Sequence, residues 1–236
     1  MYTVIITIIA IISVSLFVLL FIKVGMLSKL LFKLGFIKQK SNLNWSAFSW
    51  ESCLKKLEYS ADVVFFGDSI IRGGDFHKAF KDQIIINLGS SGDTLSAMLR
   101  RVSMVEAVNP KKIFFLGGIN GLSNMNIKKC VEQYSELMDA LKRSAPDAQI
   151  YVHSLLPISK SKEKKICSNK TIREFNERIK NIAVEKGLTF IDLYPLYEKD
   201  GSMNPEWTVD GLHLKSEAYG IWFDKIREYV CIEKSY

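Results

Sequence analysis

The stretch Asp62-Val63-Val64-Phe65-Phe66-Gly67-Asp68-Ser69-Ile70 decides the fold. Residues 62–66 form a short run of β-branched and aromatic side chains, and Gly67-Asp68-Ser69 follows it directly as a turn signal. The pattern predicts a strand, a tight turn at glycine and the start of a helix. Asp68 and Ser69 are both of the type that caps a helix N-terminus. A serine placed there has its hydroxyl exposed at the strand's carboxyl end.

The same alternation continues along the chain. Gln83–Leu88, Lys112–Leu116, Gln149–Ser154 and Leu188–Leu193 read as four further short strands. Between them, Thr94–Val108, Ile127–Ser144 and Thr171–Lys186 have helical spacing, and Ser216–Val230 reads as a last helix. The first of these stops at Asn109-Pro110 and the third at Gly187, both ordinary helix terminators. Five short apolar strands alternating with helices predict an α/β protein, a three-layer α/β/α sandwich around a five-stranded parallel sheet. In such sheets a ligand lies beyond the carboxyl ends of the strands. Ser69 follows the first strand, Gly92 the second and Asn120 the third, so all three are expected on one edge.

Each of these positions has an ordinary structural explanation as well as a chemical one. Ser69 could merely cap a helix. Gly92, in Ser91-Gly92-Asp93-Thr94, could be a plain turn glycine, or could let its N–H approach a ligand closely. Asn120, in Gly117-Gly118-Ile119-Asn120-Gly121, could tolerate a turn, or could aim its amide at developing negative charge. Asp210-Gly211-Leu212-His213 is the sharpest signal. The chain has three histidines, His77, His153 and His213, and only His213 has a carboxylate three residues before it. One loop can then present both groups, the carboxylate holding Nδ1–H and leaving Nε2 to accept a proton from a serine. His77 and His153 read as surface or structural residues.

Taken together these residues resemble the SGNH (GDSL-type) hydrolases, over about Ala61 to Val230 and in the family's order. The segment Asp210-Gly211-Leu212-His213-Leu214 looks like the branch of acetylhydrolases and small carbohydrate or lipid esterases. The resemblance implies a flavodoxin-like α/β/α fold and a serine esterase. It assigns Ser69 as nucleophile, His213 as base and Asp210 as the residue orienting it. The oxyanion hole would be the Ser69 and Gly92 N–H groups and the Asn120 amide. No cofactor and no metal are implied. One departure is that the family's third block usually reads Gly-x-Asn-Asp, whereas Gly121 follows Asn120 here. The substrate expected is an acyl ester, of short-chain or acetyl type, on a carbohydrate or lipid. A lysophospholipase or acyltransferase on the same residues, or a membrane-tethered binding module with a decayed site, are the alternatives.

The N-terminal part reads differently. Residues 1–22 carry no charged side chain and are dominated by Ile, Val, Leu and Phe. At about 1.5 Å rise per residue such a helix would cover roughly 30 Å, the thickness of a bilayer core. The absence of a basic n-region and of a small-x-small cleavage site argues against a signal peptide. A transmembrane anchor is therefore expected over residues 1–24, and a basic amphipathic juxtamembrane segment with a lead-in helix over 25–60. The hydrolase domain is assigned to 61–236. All five lysines of residues 1–40 follow the apolar run, so the positive-inside rule leans towards a cytoplasmic catalytic domain. Those lysines, with no acidic residue beside them, supply five of the seven net positive charges. The basic balance thus belongs to the membrane flank and does not indicate nucleic-acid binding. Cys53, Cys130, Cys167 and Cys231 are widely spaced, without a CxxC pair, and are expected to be buried free thiols. Lys160, Lys162, Lys164 and Lys165 read as a solvated basic loop after the fourth strand. On the rim of a site they would draw an anionic head group or an acidic sugar.

Overall fold

The computed structural model describes residues 60–123 and 125–231. The expected anchor, and the amphipathic segment up to residue 59, lie outside the described residues. Among the described residues no helix is long and apolar enough to cross a membrane.

Five parallel strands make the central sheet: β1 (Val63–Gly67), β2 (Ile85–Gly89), β3 (Lys112–Leu116), β4 (Gln149–His153) and β5 (Thr189–Ile191). Their order is β2-β1-β3-β4-β5. This is the flavodoxin-like order, and its reversal point lies between β1 and β3. All five residues of β1 are buried, as are the last four of β3. Such continuous apolar strands need cover on both faces.

The pleat divides the aromatic side chains between two layers. On one face Phe65 stacks on Phe76 and Phe114, Phe114 on Tyr151, and Phe76 meets Trp222 and Phe223 edge-on. Trp222 and Phe223 belong to the final helix, α10 (Ala218–Val230). On the other face Phe66 meets Phe115, Phe115 meets Tyr134, and Tyr134 meets Phe175. Tyr134 lies on α6 (Ile127–Ser144) and Phe175 on α8 (Asn169–Lys186). Neighbouring phenylalanines in Phe65-Phe66 and Phe114-Phe115 thus tie opposite helical layers to one sheet.

Among the described residues the remaining helices are short: α1 (Ser69–Gly73), α2 (Phe76–Ala79), α3 (Leu95–Leu99), α4 (Ser103–Glu106), α5 (Ile119–Leu122), α7 (Lys160–Glu163) and α9 (Tyr194–Tyr197). A two-stranded antiparallel hairpin, β6 (Glu198–Lys199) and β7 (Ser202–Met203), follows α9. Strand ends differ from the sequence reading by a residue or two.

The continuous helix expected over Thr94–Val108 is corrected. It breaks at residues 100–102 into α3 and α4. The cause is Arg101, whose side chain turns inward and is 8% exposed. Its guanidinium donates to Leu88 O and Gly67 O, each at 2.7 Å, and to Asp93 Oδ2 at 2.6 Å. It also lies over the Phe66 ring. A buried cation is held only by such a full set of partners.

The thiol expectation is corrected in part. Cys130, Cys167 and Cys231 are free, but only Cys130 is buried, Cys167 being half-buried and Cys231 exposed. Cys53 lies outside the described residues.

Candidate active site

β1 delivers Ser69 to the sheet's carboxyl edge. Gly67 is needed there for a steric reason: a Cβ would collide with the main chain of Leu116 on the paired strand β3. Asp68 caps α1, Oδ1 accepting the Ile70 N–H at 2.9 Å. Ser69, first residue of that helix, has a main-chain N–H of the kind a helix start leaves without an intrahelical acceptor.

The loop before α10 delivers the histidine. Ser69 Oγ lies 3.0 Å from His213 Nε2, and His213 Nδ1 lies 3.0 Å from Asp210 Oδ2. The loop fixes its own shape. Asp210 Oδ1 accepts the N–H groups of Leu212 and His213, while Thr208 Oγ1 donates to His213 O and accepts the Gly211 N–H. Thr208 and Leu214 form an isolated antiparallel bridge. Partial burial pushes the Asp210 carboxyl up, but the His213 N–H, the His213 ring and the Leu212 N–H outweigh it. The carboxyl is held well below the usual carboxylate range. Asp210 is therefore an anion near neutrality, able to hold Nδ1–H and leave Nε2 as acceptor for the serine proton.

The other two expected positions lie at the ends of β2 and β3. Gly92 occupies an exposed turn with φ +76°, a left-handed conformation that suits glycine. Asn120 lies on α5 with its amide donating to Asp93 O at 2.9 Å. An amide nitrogen carries two hydrogens, so a second one remains for a ligand. Asp93 is itself held by Arg101, and Ser123 Oγ donates to Asn120 O. The side chain is thereby oriented from Asp93 without any help from position 121. Gly121 is buried and faces Cys130 Sγ.

Two residues that sequence reading missed support this edge. Arg101 joins the ends of β1 and β2 to Asp93. Its signal was a charge on a stripe otherwise filled by Leu95, Met98, Val102 and Val105, all buried. Thr208 fixes the Asp210–His213 turn, and nothing in its local sequence marks it.

The other histidines stay apart from this chemistry. His77 is exposed. His153 is buried, with Nδ1 on Phe115 O and Nε2 accepting from Trp222 Nε1. One neutral tautomer satisfies both contacts, and burial pushes its pKa down to about 3. Of the four basic-loop lysines, Lys160, Lys164 and Lys165 are exposed, whereas Lys162 reaches Asp210 Oδ2 at 3.4 Å. Among the described residues no group of three or more His, Cys, Asp or Glu side chains is gathered as a metal would require.

The family model for the GDSL-like Lipase/Acylhydrolase family matches residues 65–221. The chain belongs to that family of ester hydrolases. No protein of the curated set shows significant sequence similarity to it. Solved structures share its fold. One, from Streptococcus pneumonia and described as a platelet activating factor, is 20% identical with a TM-score of 0.69, covering 89% of this chain and 99% of its own. A protein from Bacteroides fragilis described as an acylhydrolase is 21% identical with a TM-score of 0.69, covering 82% and 98%. An acetyl xylan esterase is 19% identical with a TM-score of 0.61, covering 72% and 99%.

Proposed function

We propose that this chain is a membrane-anchored serine esterase acting through an acyl-serine intermediate. The observation that carries the reading is the unbroken contact series from Ser69 Oγ through His213 to Asp210, at 3.0 Å and 3.0 Å. Ser69 attacks the ester carbonyl while His213 Nε2 takes its proton, and Asp210 stabilises the imidazolium that forms. The oxyanion is held by the Ser69 and Gly92 N–H groups and by the free hydrogen of the Asn120 amide. His213 returns the proton to the leaving alcohol, then activates water to release the acid.

The substrate is an acyl ester of a carbohydrate or lipid, of acetyl or short-chain type. The similar folds of an acetyl xylan esterase and of a protein described as a platelet activating factor support that pair of classes. The apolar run of residues 1–22 would hold the enzyme at a bilayer. Acetyl, butyryl and long-chain esters offered to the full chain test the reading. Release of free acid, fastest for the acetyl ester and lost in Ser69→Ala, is expected. Equal turnover by the Ser69→Ala variant contradicts it, and acylated acceptor in excess of free acid would make the enzyme a transferase.

A further inference from the structure

The turn that follows β4 is fastened to the loop bearing Asp210 and His213. Ser159 N donates to Gly211 O at 2.8 Å, and the Ser159 side chain fills the space where a Cβ on Gly211 would sit. Gly211 is buried with φ +90°, so the contact and the backbone both require glycine. The turn is held from behind as well. Asn169 accepts the Ile158 N–H and donates to Ile158 O, while Glu163 Oε1 accepts from Asn169 N and Nδ2. This fixed frame carries α7 and brings Lys162 Nζ to Asp210 Oδ2 at 3.4 Å.

The division of labour on that carboxylate is informative. Oδ1 is occupied by two main-chain N–H groups of its own loop. Oδ2 is shared between the His213 ring and Lys162. The Lys162 and Asp210 side chains are 28% and 40% exposed, so as an ion pair this contact adds little to stability. Its place beside the oxygen that orients the imidazole gives it another consequence.

We propose that Lys162 is a positioning residue of this site, its ammonium fixing Asp210 Oδ2 against the His213 ring and opposing a second positive charge beside that carboxylate. The inference rests on the serine esterase reading given above. The titratable and charged groups around the ring are Asp210 on its own loop, the buried Asp68 at the cap of α1, and Lys162 on α7, with Lys215 exposed two residues along the chain. Removing the one lysine or arginine that lies on this carboxylate among the described residues favours the imidazolium. The lysine's charge is partly screened, so the effect is a fraction of the bare one.

The test uses the full chain and its Lys162→Met and Lys162→Arg variants. The pH dependence of kcat/KM on a neutral aryl acetate is measured beside an NMR titration of the His213 ring. In Lys162→Met the acid limb and the ring midpoint should both move up by about half a pH unit. Lys162→Arg should restore the parent profile, and added salt should shrink the difference. A Lys162→Met variant whose limb and midpoint stay in place overturns the proposal, whatever its plateau. So does a Lys162→Arg variant displaced as far as Lys162→Met. If the parent shows no Ser69-dependent turnover, the esterase reading falls, and the ring titration still decides the coupling.

Discussion

Asn120 lacks the aspartate that usually follows it in its family, and the structure shows what orients it instead. Its amide is held by Asp93 O, and Asp93 by Arg101. Replacing Asn120 with alanine should lower kcat by about 10²–10³-fold, with KM little changed, because the lost donor acts mainly on the oxyanion. Steady-state kinetics on an acetyl ester check this. Restoring the family's residue should not help. Gly121→Asp would put a carboxylate in a buried position facing Cys130 Sγ, and should cost about 1–3 kcal/mol of stability in a denaturant titration. The Ser69–His213–Asp210 contact series was legible from two short motifs because Asp210 and His213 are three residues apart, and because Ser69 lies just past the end of an apolar strand. The supports were not legible. The Arg101–Asp93 and Lys162–Asp210 contacts span 8 and 48 residues, and only the fold brings these partners together.

The elements divide by length in the same way. β1, β3, α6 and α8 could be read within a residue or two, since continuous apolar runs or several turns of helical spacing mark them. The hairpin β6–β7 and helices such as α7 and α9 are too short to show a period. Expecting one helix over Thr94–Val108 followed from a correct apolar stripe, and failed because Arg101 occupies that stripe and caps two strand ends instead. The break between α3 and α4 is thus part of the active-site edge. Arg101→Met should lose about 3–5 kcal/mol of unfolding free energy, because Asp93 and two strand carbonyls are left without their cation. A matched loss of kcat in the variant that still folds would show that the break also steadies Asn120.

At the scale of the whole molecule, two buried groups set opposite pH limits on stability. Burial pushes Asp68 from 3.8 up to about 7, despite the Ile70 N–H it accepts, and its Oδ2 has no hydrogen-bond partner among the described residues. Its stabilising contribution is complete below the unfolded value and is lost as pH rises through 7. His153 is pushed from 6.5 down to about 3, so its contribution is present above 6.5 and is lost as pH falls towards 3. Thermal unfolding should therefore show a maximum between these limits. Asp68→Asn, which keeps the cap, should flatten the alkaline side and raise stability by about 1–3 kcal/mol near pH 8. For the chain in its cell, the apolar run of residues 1–22 predicts retention in the membrane after an alkaline wash, and release when residues 1–24 are deleted. The central claim concerns Ser69, and mass spectrometry of the full chain after treatment with a fluorophosphonate tests it most directly. The account predicts a single stoichiometric adduct on Ser69, lost in Ser69→Ala and strongly slowed in His213→Ala. An unmodified Ser69, or an adduct that persists in the Ser69→Ala chain, would contradict it.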